Sequence, residues 1–323
     1  MKVIDMHCDT ASELMLAEDR GEKLSLREND LHIDLKRLRQ GGYMLQNFAM
    51  FIHMERDRDV TAALLRMIDI YYNELSANAD LIAPVFTYAD IEKNAAAGKM
   101  SALLTMEEGA PCRGKTYLLR DFYRLGVRMM TLTWNFENEL GYPSTVATFP
   151  GYSPERRYGL KKAGFEMVEE MQRIGMIVDV SHLSDDGFYD VCDVMKGPFV
   201  ASHSNARALC SHRRNLTDDM IRKLADHGGV TGLNFYSEFL TDGADLSTVS
   251  RMVEHIRHMT NVGGMDCVGL GSDFDGIDSA LEMKDCSHIQ MLASEMSRQG
   301  FSDDAIEKVF YKNVLRVYRD VLK

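Results

Sequence analysis

The sequence has little of what marks a redox, thiolate-zinc or dinucleotide-binding protein. Its six cysteines include no Cys-x-x-Cys pair, so neither a thiolate zinc site nor a dithiol redox motif is indicated. No Gly-x-Gly-x-x-Gly follows an apolar strand-like run, which argues against a dinucleotide site. The cysteines are therefore predicted to be reduced and mostly buried.

Positive charge and long apolar runs are also scarce. Lysine and arginine number 37 against 49 acidic residues, and the resulting formal charge of −12 disfavours a nucleic-acid partner, which needs clustered basic side chains. No run approaches the roughly 20 apolar residues of a membrane span, and residues 1–5 carry charges where a signal peptide needs apolar residues. We predict a cytoplasmic protein that binds neither nucleic acid nor membranes.

No low-complexity tract or Pro/Ser-rich linker interrupts the chain, so residues 1–323 are predicted to form a single domain. Short apolar runs alternate with longer amphipathic segments, as expected of parallel strands joined by crossover helices. Strands are predicted at 2–7, 44–52, 100–106, 127–133, 176–182, 198–203, 229–235 and 267–272, and helices at 59–76, 160–174, 217–227, 248–261, 287–299 and 303–322. Eight such units favour an α/β fold of the (β/α)8 TIM-like barrel type over an open doubly wound sheet.

One irregular segment, 136–158, follows a predicted strand and contains three prolines. Because long irregular insertions are usually functional, we expect it to border or cover the active site.

Metal-type residues recur where the predicted strands end. They are His7, Asp9, Glu107 or Glu108, His182, His203 and Asp273. In a barrel of this kind the carboxyl ends of the strands carry the active site, so these side chains are expected to converge. Nitrogen and oxygen ligands without thiolates suit zinc, or less selectively manganese, iron or cobalt.

The number of these residues exceeds what one catalytic zinc ion requires, so two ions are predicted, with Asp273 as a proton-transfer group. The two glutamates compete for the ligand role. Adjacent residues of a strand face opposite ways, so only one of Glu107 and Glu108 can point inward, and the pattern leaves the choice open.

Several segments, taken in order, resemble the membrane dipeptidase (renal dipeptidase) family of zinc peptidases, within the amidohydrolase superfamily. The likeness covers nearly the whole chain and depends on Ile4-Asp5-Met6-His7-Cys8-Asp9, Glu108-Gly109, Val178-Asp179-Val180-Ser181-His182, Ser202-His203-Ser204, Arg213-Arg214-Asn215, Asn234-Phe235-Tyr236 and Gly269-Leu270-Gly271-Ser272-Asp273. The resemblance implies that His7 and Asp9 bind one zinc ion, that His182 and His203 bind the other, and that Glu108, which directly precedes a glycine, bridges them. It further implies that Asp273 is the acid/base residue, that Arg214 binds the substrate carboxylate and that Tyr236 contacts the substrate.

The sequence departs from the family pattern at Trp134. The family often has a histidine there that contacts the scissile carbonyl, whereas an indole can donate a hydrogen bond but cannot exchange a proton near neutral pH. We place Trp134 among the substrate-binding residues and expect an altered substrate preference.

The predicted function is therefore that of a zinc dipeptidase with two ions that activate a hydroxide, acting on small dipeptides and tolerating a D-residue at the C-terminal position. Two alternatives are an amidohydrolase acting on another amide, ester or lactone, and a non-catalytic metal- or ligand-binding barrel. A homodimer is the assembly considered.

Overall fold

In the computed structural model, which describes residues 1–323, eight parallel strands close into a barrel. The chain forms these strands: β1 (Val3–Asp5), β2 (Tyr43–Phe51), β3 (Ile82–Pro84), β4 (Met100–Glu107), β5 (Met129–Thr131), β6 (Ile177–Asp179), β7 (Val200–Ala201), β8 (Val230–Leu233), β9 (Leu246–Ser247), β10 (Val268–Leu270) and β11 (Ala280–Leu281). The main sheet runs β2-β1-β10-β8-β7-β6-β5-β4, and pairing of β2 with β4 closes the ring. The predicted (β/α)8 barrel is confirmed.

The three remaining strands lie outside this ring. β3 pairs with the first three residues of β4. β5 pairs with the last three residues of β4, along the same edge. β9 and β11 form a small parallel pair of their own. These three strands were not predicted from the sequence.

Helices surround the barrel. They are α1 (Thr10–Asp19), α2 (Leu35–Gly41), α3 (Val60–Ala77), α4 (Tyr88–Ala96), α5 (Thr116–Arg124), α6 (Lys162–Ile174), α7 (Asp185–Val194), α8 (Asp218–Asp226), α9 (Ser237–Leu240), α10 (Val249–Gly263), α11 (Gln290–Arg298), α12 (Asp303–Glu307) and α13 (Asn313–Val321). None is both long and apolar enough to cross a lipid bilayer. The cytoplasmic location, the single domain and the homodimer stay predictions.

The six predicted helices are present with small shifts at their ends. Thr217 caps α8 as expected, because its side chain accepts a hydrogen bond from the backbone N–H of Met220. The helix predicted over 303–322 is divided into α12 and α13 by a π-helical turn at Lys308–Lys312.

The barrel interior and its outer face form two separate apolar clusters. The interior cluster takes side chains from successive strands, among them Ile4, Leu103 and Ile177, and α13 adds Tyr318. The larger cluster lies between the strands and the helices and includes Leu104 and Met106. Because β4 is buried on both faces, its side chains alternate between the two clusters rather than between core and solvent.

His255 of α10 joins the loop after β7 to the end of α9. Its buried ring accepts a hydrogen bond at Nδ1 from the backbone N–H of Ala206 and donates one from Nε2 to the carbonyl oxygen of Leu240. This arrangement requires the neutral imidazole. Burial lowers the pKa of His255 from 6.5 to about 4.

The pKa of His255 predicts a pH-dependent stability. Because the folded-state pKa lies below that of the unfolded chain, His255 favours folding fully above pH 6.5, and this contribution is lost as the pH falls towards 4. Measured by urea unfolding of the metal-free proteins, the free energy of unfolding should fall over this pH range by up to about 3 kcal/mol more in the wild type than in His255→Gln. Equal pH slopes for the two proteins would contradict the assignment.

Candidate metal centre

The predicted strand ends deliver one compact cluster of nitrogen and oxygen atoms. Its first half surrounds His7, which lies two residues beyond β1. The Nε2 atom of His7 is 3.3 Å from Oδ2 of Asp9, 3.4 Å from Oε2 of Glu107 and 3.7 Å from Oδ1 of Asp273. All four residues come from the carboxyl ends of β1, β4 and β10, which are close in the ring.

The second half of the cluster contains His182 and His203, from the ends of β6 and β7. Their Nε2 atoms lie 2.9 Å apart. The Oε1 atom of Glu107 is 3.1 Å from Nε2 of His182 and 3.6 Å from Nε2 of His203. Glu107 therefore presents one carboxylate oxygen to each half. This places five of the six residue positions named in the sequence analysis in one cluster, and Glu107 fills the sixth.

The assignment of Glu108 from the family resemblance needs correction. Its buried carboxylate faces away from the cluster and accepts hydrogen bonds from the backbone N–H groups of Ala110 at 2.7 Å and Trp134 at 2.8 Å, and from the side-chain amide of Asn138. The physical reason is the alternation along β4: Glu107 shares the inward face with Leu103, whereas Glu108 follows Leu104 outward. Burial raises the pKa of Glu108 to about 7.

Backbone strain coincides with the site. His182, Asp273 and Glu108 all adopt positive φ angles, of 67°, 63° and 101°, which non-glycine residues rarely do. Such conformations persist only where the surrounding structure enforces them, and they occur preferentially at functional sites. Here they turn the chain sharply where three of the strands end.

The electrostatics of the cluster favour a bound cation. Burial, together with the neighbouring Glu107, raises the pKa of Asp9 to about 8, and burial raises the pKa of Asp273. The pKa of Glu107 lies below its ordinary value, because the neighbouring His7 and His182 outweigh the opposite effect of burial. Burial and the charge of Arg214 lower the pKa of His182 to about 3, so that this ring is a neutral nitrogen donor.

Two of the candidate ligand atoms are buried without a hydrogen-bond partner, as expected of atoms that bind a metal ion. Nε2 of His7 and Oδ1 of Asp9 are buried and make no hydrogen bond within the protein. Buried polar atoms are normally satisfied, and each exception requires an explanation. Neutral imidazoles and carboxylates without a thiolate are the donor set that zinc accepts at catalytic sites.

A cavity of about 500 Å³ opens above the cluster. Trp134 and Tyr236, both predicted to bind substrate, line it, together with Asp9, Glu107, His182 and Asp273. The ring of Trp134 packs against Phe51 and lies 5.9 Å from the ring of His182, centroid to centroid. Trp134 thus forms an aromatic wall directly beside a candidate ligand.

Arg214 is close to the cluster but does not line this cavity. Its buried guanidinium donates to the hydroxyl of Ser204 and the carbonyl oxygen of His203, both at 3.2 Å, and its Nε has no partner. The guanidinium carbon is 5.5 Å from the ring centre of Phe239, which does line the cavity. Its predicted role in binding a substrate carboxylate stays a prediction.

The irregular segment 136–158 borders the site from behind but does not cover it. None of its residues lines the cavity. Instead its backbone supports the loop after β6, since Ser144 donates a hydrogen bond to the carbonyl oxygen of His182 and Ser184 donates to that of Tyr142. The segment therefore holds a candidate ligand in place.

Several residues of the site were not predicted from the sequence. Asn135 contacts Nδ1 of His182 through its side-chain oxygen at 3.0 Å, and Asn234 donates to Oδ2 of Asp273 at 2.8 Å. Asp5 and Asp179 end β1 and β6 as buried hydrogen-bond acceptors. A repeated pattern could have identified these two, because each aspartate precedes a candidate histidine ligand by two or three positions.

Comparison with known proteins identifies the family. The model of the membrane dipeptidase family (peptidase family M19) matches residues 1–323. The chain belongs to this family. Its members are metal-dependent peptidases that include dipeptidases, and the resemblance noted in the sequence is confirmed.

Individual relatives agree with this membership. An uncharacterized dipeptidase of Schizosaccharomyces pombe is 33% identical over 98% of this chain and 80% of its own length. The crystal structure of a dipeptidase of family M19 aligns with a TM-score of 0.91 and 26% identity, over 100% of this chain and 99% of its own. A metallopeptidase from Rhodobacter sphaeroides, solved with a phosphinate mimic of the dipeptide L-Ala-D-Ala, aligns with a TM-score of 0.89 and 26% identity, over 99% of both chains.

The two adjacent glutamates allow a matched test. We expect Glu107→Gln to weaken zinc binding by more than about 100-fold, because it removes the charge shared by both halves of the cluster. Glu108→Gln should keep the metal content of the wild type and lower the free energy of unfolding by about 1 to 3 kcal/mol. The reason is that the NH2 group of the glutamine would face a backbone N–H group that the carboxylate now accepts, and that donor would lose its partner. Chelator competition and urea unfolding measure the two effects, and the reverse pattern would restore Glu108 as the ligand.

Proposed function

We propose that this protein is a dipeptidase with two zinc ions that hydrolyses the peptide bond of dipeptides and tolerates a D-residue at the C-terminal position. The observation that carries the proposal is the position of Glu107. Its two oxygens face separate groups of donors, with His7 and Asp9 on one side and His182 and His203 on the other. A carboxylate so placed suits a bridge between two cations.

The assignment of ligands follows from these contacts. His7 and Asp9 would hold one ion, His182 and His203 the other, and Glu107 both. When bound, zinc supplies a Lewis acid that polarises the peptide carbonyl and lowers the pKa of water towards neutrality. The protein contributes a fixed and nearly dry set of donors, since all five side chains are buried.

Asp273 is proposed to move the proton. Its Oδ1 faces the cluster, 3.7 Å from Nε2 of His7, while Oδ2 is held by the side-chain amide of Asn234. One oxygen is therefore fixed and the other is directed towards the position of the reacting groups. Burial raises the pKa of Asp273, which favours a carboxyl group that can take a proton from the attacking water and give it to the leaving amine.

Substrate binding is proposed to involve the opposite sides of the cavity. Tyr236 follows β8, whereas Phe51 ends β2 and Trp134 follows β5. These two strands flank β4, across the ring from β8. Arg214 lies on the side of Tyr236, behind Phe239, and its planar fork suits a free C-terminal carboxylate. The phosphinate mimic of L-Ala-D-Ala bound to the relative from Rhodobacter sphaeroides supports tolerance of a D-residue at the C-terminal position.

Elemental analysis and a substrate panel test the proposal. The zinc-loaded protein should contain about two zinc ions per chain and hydrolyse L-Ala-L-Ala and L-Ala-D-Ala, but not N-acetyl-L-alanine or a simple lactone. Removal of the metal with a chelator should abolish turnover, and zinc should restore it.

The same panel separates the alternatives. Turnover of the N-acyl amino acid or lactone alone would indicate a different amidohydrolase. Calorimetric binding of dipeptides by fully loaded protein without any turnover would indicate a non-catalytic barrel.

The role of Asp273 predicts a loss of rate without a loss of metal. Asp273→Asn should lower kcat for L-Ala-D-Ala by about 10² to 10⁴, because the amide cannot carry the proton, while zinc content and KM change little. Asp278→Asn, which removes a carboxylate from the rim of the same cavity, serves as a control and should cost less than about tenfold. Full activity in Asp273→Asn would remove this residue from the reaction.

A further inference from the structure

Two buried carboxylates tie neighbouring strands together at the mouth of the barrel, in the same register. Asp5 ends β1 and accepts hydrogen bonds from the backbone N–H of Ser272 at 2.9 Å and from its hydroxyl at 2.6 Å. Asp179 ends β6 and accepts the equivalent bonds from Ser202, at 2.8 and 2.6 Å. Each serine lies two positions beyond the residue that pairs with its aspartate, and each immediately precedes a residue of the candidate metal centre.

The two aspartate–serine pairs differ in what the serine contacts next. The hydroxyl oxygen of Ser272 lies 3.2 Å from the carbonyl oxygen of His7 and accepts a bond from the backbone N–H of Phe274. The hydroxyl oxygen of Ser202 lies 2.7 Å from Nδ1 of the His203 ring. The first pair therefore fixes backbone, whereas the second reaches a candidate ligand directly.

The direction of the hydrogen bonds around Asp179 follows from its donors. Its carboxylate receives the backbone N–H groups of Ser181 and Ser202 and the hydroxyl protons of Thr131 and Ser202. Four donors fill the acceptor positions of an ionised carboxylate. The single hydroxyl proton of Ser202 is thus given to Asp179, and its oxygen is left to accept a proton from Nδ1 of His203.

This direction determines which nitrogen of His203 can bind a cation. With the proton on Nδ1, the lone pair is on Nε2, which lies 2.9 Å from Nε2 of His182. The Nδ1 atom of His182 in turn faces the side-chain oxygen of Asn135, a contact that again keeps the proton on Nδ1. Two lone pairs at this separation repel each other unless a cation lies beside both.

We infer that Asp179 and Ser202 are positioning residues that hold His203 in its Nδ1–H tautomer and so prepare Nε2 for the metal ion that it shares with His182. The inference rests on the metal site proposed above. It assigns Asp5 and Ser272 a different task, that of fixing the backbone of the other half. Partners of this kind commonly affect metal affinity by 10- to 100-fold.

The tautomer can be read directly in the full chain after removal of metal by a chelator. Long-range proton–nitrogen correlation NMR on protein labelled in its histidines, with His203 assigned by comparison with His203→Gln, should show the proton on Nδ1 of His203. Ser202→Ala should shift the ring to the Nε2–H form or to a mixture. Thr131→Val is the matched control, because it removes a hydroxyl from the same carboxylate oxygen without contact to the ring, and it should leave the tautomer unchanged.

Zinc affinity gives a second readout. Chelator competition should show a 10- to 100-fold weaker site in Ser202→Ala, recovery to within about threefold in Ser202→Thr, and no more than a threefold change in Thr131→Val. An Nε2–H ring in the wild type, an unchanged ring in Ser202→Ala, or an equal loss of affinity in Thr131→Val would each overturn the inference. Wild-type protein that binds no zinc would refute the proposed function instead, while the NMR measurement would still decide the tautomer.

Discussion

The rest of the site depends on the crowding of three carboxylates, two buried and one partly buried, around one imidazole. Asp9, Glu107 and Asp273 all lie within 4 Å of Nε2 of His7, whereas the buried guanidinium of Arg214 contacts the backbone of His203 in the second half of the cluster. Buried charges of one sign are unfavourable unless they are paired or bind a metal ion. The barrel makes this arrangement possible because its closed ring of backbone hydrogen bonds fixes where each strand ends.

The fold and most of the site could be predicted because they depend on local signals. Short apolar runs followed by histidine or acidic residues mark strands that end at one face of a barrel, and the register of parallel strands then brings those residues together. The short strands β3, β9 and β11 have no comparable signal. The role of segment 136–158 could not be predicted either, because an irregular sequence does not indicate whether its backbone lies over a cavity or behind a loop.

The choice between Glu107 and Glu108 shows where a sequence pattern and a family resemblance are both insufficient. All eight residues of β4 are buried, so hydrophobic alternation gives no inward or outward phase. The phase is determined by contacts made elsewhere along the strand, where Leu103 enters the barrel interior and Leu104 the outer cluster. The resemblance, which relied on the glycine after Glu108, assigned the ligand one position too far along the chain. A shift of one residue moves a side chain to the opposite face of the strand.

The two adjacent glutamates nevertheless serve the same centre from opposite sides. Glu107 offers its oxygens to both groups of ligands, while Glu108 binds the backbone N–H of Trp134 and the side chain of Asn138. The residue after Trp134 is Asn135, whose side chain contacts Nδ1 of His182. The positive φ of Glu108 turns the chain directly after Glu107, so that the two carboxylates point in different directions. Glu108 therefore supports the loop that carries the aromatic wall and the side chain that orients His182, and it holds Trp134 by its backbone rather than by its ring.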